Sequence, residues 1–262
     1  MNLLRFVPNF LTLCNLFCGS LAILNVFNQN IVGEFLGKET NWSVWLIFLS
    51  AGFDFFDGLS ARLLNARTAV GAELDSLADI VSFGVAPAML VVNMILFSHA
   101  YAFTNNVTMG IAIISALLIP LFSAVRLARF NVDTEQSTSF KGLPTPANAL
   151  FIASLPLLLS SERWKAVSEE FVSAGSIIVL CLVLCVLLVA PVPLISLKIK
   201  GKLQPNKHWP QLTLVLISGL SIVLLGPLAS LLILVAYLLL SVAAFAFIAE
   251  REIPEEPEPE EE

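Results

Sequence analysis

Hydrophobic residues fall into eight runs along the chain, which polar stretches separate except before the last run, where only Gly226-Pro227 intervenes. A helix needs about 20 apolar residues to cross a bilayer, which is close to the length of most of the runs. Alternation of polar and apolar residues, which marks a half-buried strand, persists nowhere in the chain. The pattern therefore predicts an all-α polytopic membrane protein with about eight transmembrane helices. The runs cover residues 10–27, 43–64, 72–97, 107–129, 145–160, 171–197, 210–225 and 227–249.

The basic residues indicate how these helices are oriented. If the N-terminus is cytoplasmic, eleven of the 14 Lys and Arg residues fall in cytoplasmic segments. Short cytoplasmic loops of membrane proteins carry such an excess of positive charge. We therefore expect both termini in the cytoplasm, with the chain in a bacterial cytoplasmic (inner) membrane.

The composition supports this interpretation and excludes one class of partner. Hydrophobic residues make up 57% of the chain and charged residues only 13%, against about 25% charged residues in soluble domains. The net charge of −6 comes from six glutamates at the C-terminal end, because the remaining acidic residues equal the 14 basic ones. No basic face for nucleic acid is present. We expect one transmembrane catalytic domain over residues 1–249 and a disordered acidic tail over 250–262.

Four aspartates interrupt the second and third hydrophobic runs. Each ionised side chain at mid-bilayer costs at least ~2.5 kcal/mol, so the set needs compensation. Asp54 and Asp57 share one helix face, as do Asp75 and Asp79, and residues 65–70 can turn the chain so that the two faces oppose each other. Carboxylate ligands without His or Cys suit Mg²⁺ or Mn²⁺ better than zinc. The pattern predicts two divalent ions facing a phosphate substrate, with Asp79 as the candidate general base.

The residues beside these aspartates suit a bound nucleotide. Gly58, Ala61 and Gly71 are small enough to let a flat group approach the backbone. Arg62 adds a forked cation that matches phosphate. Arg62 would repel a cation that moves along a transport path. This argues against the alternative that the aspartates belong to a cation transporter. A purely structural ion-pair network is the other alternative.

The spacing Asp-x2-Asp-Gly-x2-Ala-Arg-x8-Gly-x3-Asp-x3-Asp, from Asp54 to Asp79, resembles the motif of the CDP-alcohol phosphatidyltransferase family at every fixed position. Further segments resemble the phosphatidylserine synthase branch of that family, and the resemblance extends over about residues 8–200. These segments are residues 8–19, 82–87, 126–131 and 140–147.

The resemblance implies a fold, a reaction and a set of site residues. The fold would be a core bundle of six helices in a homodimer embedded in the lipid bilayer. An acceptor hydroxyl would attack the phosphorus that bears diacylglycerol, and CMP would leave. The expected substrates are CDP-diacylglycerol and L-serine. The metal ligands would be Asp54, Asp57, Asp75 and Asp79, and the residues around the CDP moiety would be Gly58, Ala61, Arg62 and Gly71.

Two further groups of polar residues are candidates for substrate contacts. Asn9, Thr12 and Asn15 would form a wall of the nucleotide pocket, although capping and hydrogen bonds between helices explain them equally well. The candidates for binding serine have an alternative explanation. The arginines at the end of the fourth run would extend to the membrane surface, and the segment after Lys141 would only shape its loop. Because the aspartate motif is shared across the family, it leaves open other acceptors, such as glycerol 3-phosphate or inositol phosphate. The serine candidates are Arg126, Arg129, Asn131 and Lys141.

Overall fold

Eight helices form the fold in the part of the chain that the computed structural model describes, and each lies on one of the predicted runs. The all-α prediction is confirmed. The described residues are 6–28, 42–97, 105–132, 140–159, 174–191, 193–194, 209–226 and 229–251. The helices are α1 (Phe6–Phe27), α2 (Trp42–Leu63), α3 (Ala69–Phe97), α4 (Asn106–Val132), α5 (Thr145–Leu159), α6 (Ala174–Val189), α7 (Trp209–Leu225) and α8 (Ala229–Arg251).

The first four helices are long and apolar enough to cross a membrane, judged by length and composition. Helices α5, α6 and α7 are shorter, at 15, 16 and 17 residues. This set of apolar helices makes the chain an integral membrane protein.

The chain divides into two units, and the first holds the six helices α1 to α6. It comprises residues 1–134 and 142–190. The second unit contains α7, α8 and a short antiparallel pair in which β1 (Phe140–Lys141) meets β2 (Pro193–Leu194). The assignment of residues 1–249 to one catalytic domain stays a prediction, and residues 252–262 of the expected tail lie outside the described residues.

Helix α6 ends earlier than the hydrophobic run predicts. The run continues to residue 197, whereas the helix ends at Val189 and β2 follows. Pro191 and Pro193 explain the difference, because proline cannot donate the backbone hydrogen bonds of a continuing helix. Hydrophobicity alone did not reveal this break.

Close packing between α1 and α3 fixes the centre of the first unit. Gly19 on α1 leaves no room for a side chain, since an added Cβ would lie 2.7 Å from the Ser82 Cα atom on α3. Small residues allow helices in membranes to approach in this way. An apolar core adjoins this contact and joins α1, α2, α3 and α5. Its members include Ala22, Ile47, Phe83 and Ala153.

Helix α3 changes its winding in the middle. It is α-helical over Ala69–Asp79, π-helical over Ile80–Val85 and α-helical again over Ala86–Phe97. A π-helical turn adds a residue to the helix and often lies at a functional site. Here it begins directly after Asp79, so it sets the direction of every later side chain relative to that aspartate.

Candidate active site

Three of the predicted metal ligands meet where α2 faces α3. Asp54 and Asp57 lie on α2 and Asp75 on α3, and one carboxylate oxygen from each lies within 4.8 Å of the others. The connection between the helices spans only residues 64–68, and Thr68 caps α3 by accepting a hydrogen bond of 3.0 Å from the Gly71 amide. The short turn and the helical spacing together bring the carboxylates to one point.

The cluster suits a hard divalent cation. The Asp75 Oδ1 atom is buried and accepts no hydrogen bond, and an unsatisfied buried oxygen is costly. Three carboxylates at this separation also repel one another unless a cation or a proton offsets their charge. Oxygen ligands alone are the set that Mg²⁺ and Mn²⁺ prefer. The residues present therefore fit a metal of this class.

A threonine from α1 holds one of these carboxylates. The buried Thr12 hydroxyl lies 2.7 Å from Asp57 Oδ2 and 3.1 Å from the carbonyl oxygen of Pro8. A hydroxyl has a single proton to donate, and the shorter distance and the charge both favour the carboxylate. Thr12 thus orients Asp57, which is only 5% exposed.

Asp79 lies beside this cluster and is positioned by Asn15. The Asn15 Nδ2 atom is 3.4 Å from Asp79 Oδ1, while the Asn15 Oδ1 atom accepts a hydrogen bond from the Ser50 hydroxyl. The Ser82 hydroxyl donates to the Asn15 backbone oxygen at 3.1 Å. Because the Ser50 hydroxyl donates to the Asn15 amide oxygen, the Asn15 amide nitrogen points toward Asp79. Asp79 is buried and interacts electrostatically with the other three aspartates.

A cavity of about 220 Å³ adjoins the aspartate cluster. It is open above Gly58, where an added Cβ would meet no atom within 4 Å. At Gly71 an added Cβ would lie 2.9 Å from Asn9 Oδ1, so this glycine lets α3 approach α1 closely. Most of the predicted nucleotide residues therefore surround one space. Those that line it are Asn9, Thr12, Gly58, Ala61 and Gly71, together with Asp57 and Asp75.

Two predicted nucleotide residues are placed elsewhere. Arg62 is exposed near the end of α2 and is not among the residues that line the cavity. Asn15 lies deeper than the cavity, at Asp79. In their place, Arg67 and Thr68 from the connection between the helices line the space. Sequence reasoning missed these two residues, because a turn carries no periodicity from which a direction can be read.

Two serines that support the site were also missed. Ser50 precedes Asp54 by four residues on α2, and Ser82 follows Asp79 by three residues on α3. A spacing of four places side chains on one face of an α-helix, so helical spacing from Asp54 was a signal that could have identified Ser50. Ser82 lies in the π-helical segment, where α-helical spacing does not apply.

The three candidates for binding the acceptor whose side chains the structure describes have different hydrogen-bond partners. Arg126 is buried and donates to the Thr145 hydroxyl at 3.5 Å. Arg129 is exposed and donates to the Val189 carbonyl oxygen at 3.5 Å, while the exposed Asn131 donates to the Ser76 hydroxyl at 2.9 Å. The Lys141 side chain lies outside the described residues.

Comparison with known proteins places this chain in a family. The family model described as CDP-alcohol phosphatidyltransferase matches residues 5–188. A relative from Bacillus subtilis is 34% identical over 162 residues, which is 60% of this chain and 81% of the relative. One from Helicobacter pylori is 34% identical over 182 residues, covering 69% of each chain. One from Methanocaldococcus jannaschii is 37% identical over 156 residues, covering 59% of this chain and 62% of the relative.

All three relatives bear the name CDP-diacylglycerol–serine O-phosphatidyltransferase. The matched residues include the whole aspartate motif and the cavity beside it, and they span most of the first unit. The chain belongs to the CDP-alcohol phosphatidyltransferase family.

Proposed function

We propose that the chain is a phosphatidylserine synthase, which transfers the phosphatidyl group of CDP-diacylglycerol to the hydroxyl of L-serine and releases CMP. The observation that carries this proposal is the convergence of three carboxylates beside an open cavity. The shared name of the relatives supports serine as the acceptor.

In this reaction one phosphorus–oxygen bond forms and another breaks. The serine hydroxyl oxygen bonds to the phosphorus that bears diacylglycerol, and the oxygen that bridges this phosphorus to CMP leaves with the bonding electrons. The hydroxyl proton must pass to a base as the bond forms. Asp79 is the candidate base, because it adjoins the cluster and the Asn15 amide orients its carboxylate.

Asp54, Asp57 and Asp75 would hold the divalent cations, with Asp79 as a further ligand. We propose two ions of Mg²⁺ or Mn²⁺, which when bound would offset the negative charge that develops on the diphosphate.

The surrounding residues bind and orient the nucleotide lipid. Gly58, Ala61 and Gly71 leave room for the CMP moiety, and Arg67 brings a cation to the cavity wall for the diphosphate. Arg62, one turn beyond Gly58, is the second candidate cation. A fixed arginine at the cavity also disfavours a cation transporter, because it would repel the cargo.

The acceptor carboxylate requires a cation of its own, and Arg126 is the best placed of the candidates because it points into the protein interior. Arg129 and Asn131, which are exposed, remain candidates, as does Lys141. The proposal also includes a homodimer, with both termini and the site facing the cytoplasm of a bacterial inner membrane.

The test is the acceptor profile of the purified protein. CDP-diacylglycerol and labelled L-serine should give labelled phosphatidylserine, and chelation of divalent metal should stop the reaction. The Asp57→Asn variant should remain folded in the membrane and give no product, which controls for a contaminating enzyme. Turnover with glycerol 3-phosphate or inositol phosphate, and none with serine, would refute the choice of acceptor while leaving the reaction class intact.

A further inference from the structure

A second group of buried polar side chains lies between α4 and α5, apart from the aspartate cluster. Ser123 and Arg126 are three residues apart on α4, and Thr145 and Asn148 are three apart on α5, so each pair shares a helix face. The bond from Arg126 to the Thr145 hydroxyl joins the two faces. Three of these side chains are 0% exposed and Arg126 is 9% exposed.

Two members of this group have polar atoms without partners. Neither the Nδ2 nor the Oδ1 atom of Asn148 makes a hydrogen bond, and the same holds for the Ser123 hydroxyl. Buried polar side chains are nearly always hydrogen-bonded, so a buried amide with both ends unsatisfied indicates a missing partner. An aliphatic side chain at position 148 would be less costly, because it would leave no buried polar atom without a partner.

The π-helical segment of α3 connects this group to the candidate base. Gly84 lies in that segment and packs against α4, where an added Cβ would be 3.4 Å from the Ser123 Cβ atom. Asp79 precedes the segment directly. The Ser123 side chain therefore lies against a residue of α3 that follows Asp79 by about one π-helical turn.

We propose that Asn148 and Ser123 form, with Arg126, the pocket for the acceptor amino acid; this inference rests on the proposed function. An amino acid has a carboxylate that only accepts hydrogen bonds and an ammonium group that only donates them. The Asn148 amide offers a donor and an acceptor on one side chain, which matches this pair. Arg126 supplies the charge that complements the carboxylate.

The same groups explain how the site would reject other acceptors. Glycerol 3-phosphate has no ammonium group, so it cannot make a charge-assisted hydrogen bond to the Asn148 oxygen. Sites that hydrogen-bond their substrate discriminate strongly against analogues that lack the matching group. Asn148 is thus a specificity-determining residue for the proposed reaction.

The experiment compares Asn148→Leu with the wild-type full chain. We expect the serine KM to rise by about tenfold or more, because the buried amide would no longer bond the charged acceptor. The CDP-diacylglycerol KM should change by less than about twofold, since the lipid nucleotide binds elsewhere. The unfolding temperature should stay the same or rise, because the substitution removes an unsatisfied amide.

Asn93→Leu is the matched control. Asn93 is a part-buried residue of α3, and its amide donates to the Val26 carbonyl oxygen at 2.7 Å. This control should lower the unfolding temperature and leave the serine KM unchanged, which is the opposite pattern.

Each outcome decides one question. If the wild type makes no phosphatidylserine, the proposed function fails. If the wild type is active, two results for Asn148→Leu would refute the acceptor pocket. One is an unchanged serine KM, and the other is an increase in both KM values together with a lower unfolding temperature. Should Asn148→Leu fail to fold, Ser123→Ala replaces it, with Ser115→Ala as control because the Ser115 hydroxyl donates to Ala112. A serine KM that rises in Ser123→Ala but not in Ser115→Ala supports the acceptor pocket. An unchanged serine KM in Ser123→Ala refutes it.

Discussion

The Thr12→Val substitution tests whether α1 holds the metal ligands in place. Valine keeps the shape of threonine but lacks the hydroxyl that donates to Asp57 Oδ2 at 2.7 Å. The side chains of Thr12 and Asp57 are only 3% and 5% exposed, so water cannot readily replace the lost donor. The carboxylate would therefore be left less well oriented in the cluster.

The size of the effect follows from the bond that is lost. A hydrogen bond to a charged group contributes about 1.5–3 kcal/mol. Since about 1.36 kcal/mol corresponds to a factor of ten, this range corresponds to roughly 10- to 150-fold. Loss of a group that orients a metal ligand typically lowers metal affinity about 10- to 100-fold. We therefore expect the Mg²⁺ concentration for half-maximal activity to rise about 10- to 100-fold.

The assay is phosphatidylserine synthesis by the purified protein across a Mg²⁺ titration, with both substrates saturating. Thr12→Ser is the matched control, because it keeps the hydroxyl and should need nearly the wild-type metal concentration. An unchanged metal requirement in Thr12→Val, with a raised CDP-diacylglycerol KM instead, would refute this reasoning. Thr12 would then be only a wall of the nucleotide cavity.

Three further variants separate binding, catalysis and folding. Asp75→Asn should abolish turnover without lowering the unfolding temperature, measured in detergent, because it removes a ligand whose Oδ1 atom has no protein partner. Gly58→Ala should raise the CDP-diacylglycerol KM and leave the unfolding temperature unchanged, because the added methyl group enters open space in the cavity. Gly19→Ala should instead lower the unfolding temperature, because the added methyl group would overlap the Ser82 backbone. Arg67→Ala should raise the CDP-diacylglycerol KM about tenfold with serine KM unaffected, and an unchanged lipid KM would exclude Arg67 from the nucleotide site.

The helices and the aspartate cluster could be predicted from the sequence because both follow from simple repeats. Apolar length identifies each helix, and the spacing of Asp54 and Asp57 places them on one face regardless of the rest of the fold. A short turn then leaves few ways for Asp75 to lie other than opposite them.

The details that depend on packing between elements could not be predicted. The contact of Asn15 with Asp79 depends on how deeply α1 packs against α3, and Gly19 allows the close approach to Ser82. The placement of Arg67 depends on a turn in which Asn65 has a φ of 48°, a conformation that no periodic pattern encodes.

Direct binding of Mn²⁺ to the purified protein tests the central claim, that carboxylates from α2 and α3 together hold divalent cations. The measurement is the loss of the electron paramagnetic resonance signal of free Mn²⁺ as protein is added. We predict saturable binding by the wild type and much weaker binding by Asp57→Asn on α2 and by Asp75→Asn on α3. Wild-type protein that leaves the Mn²⁺ signal unchanged, or variants that bind as tightly as the wild type, would contradict the account.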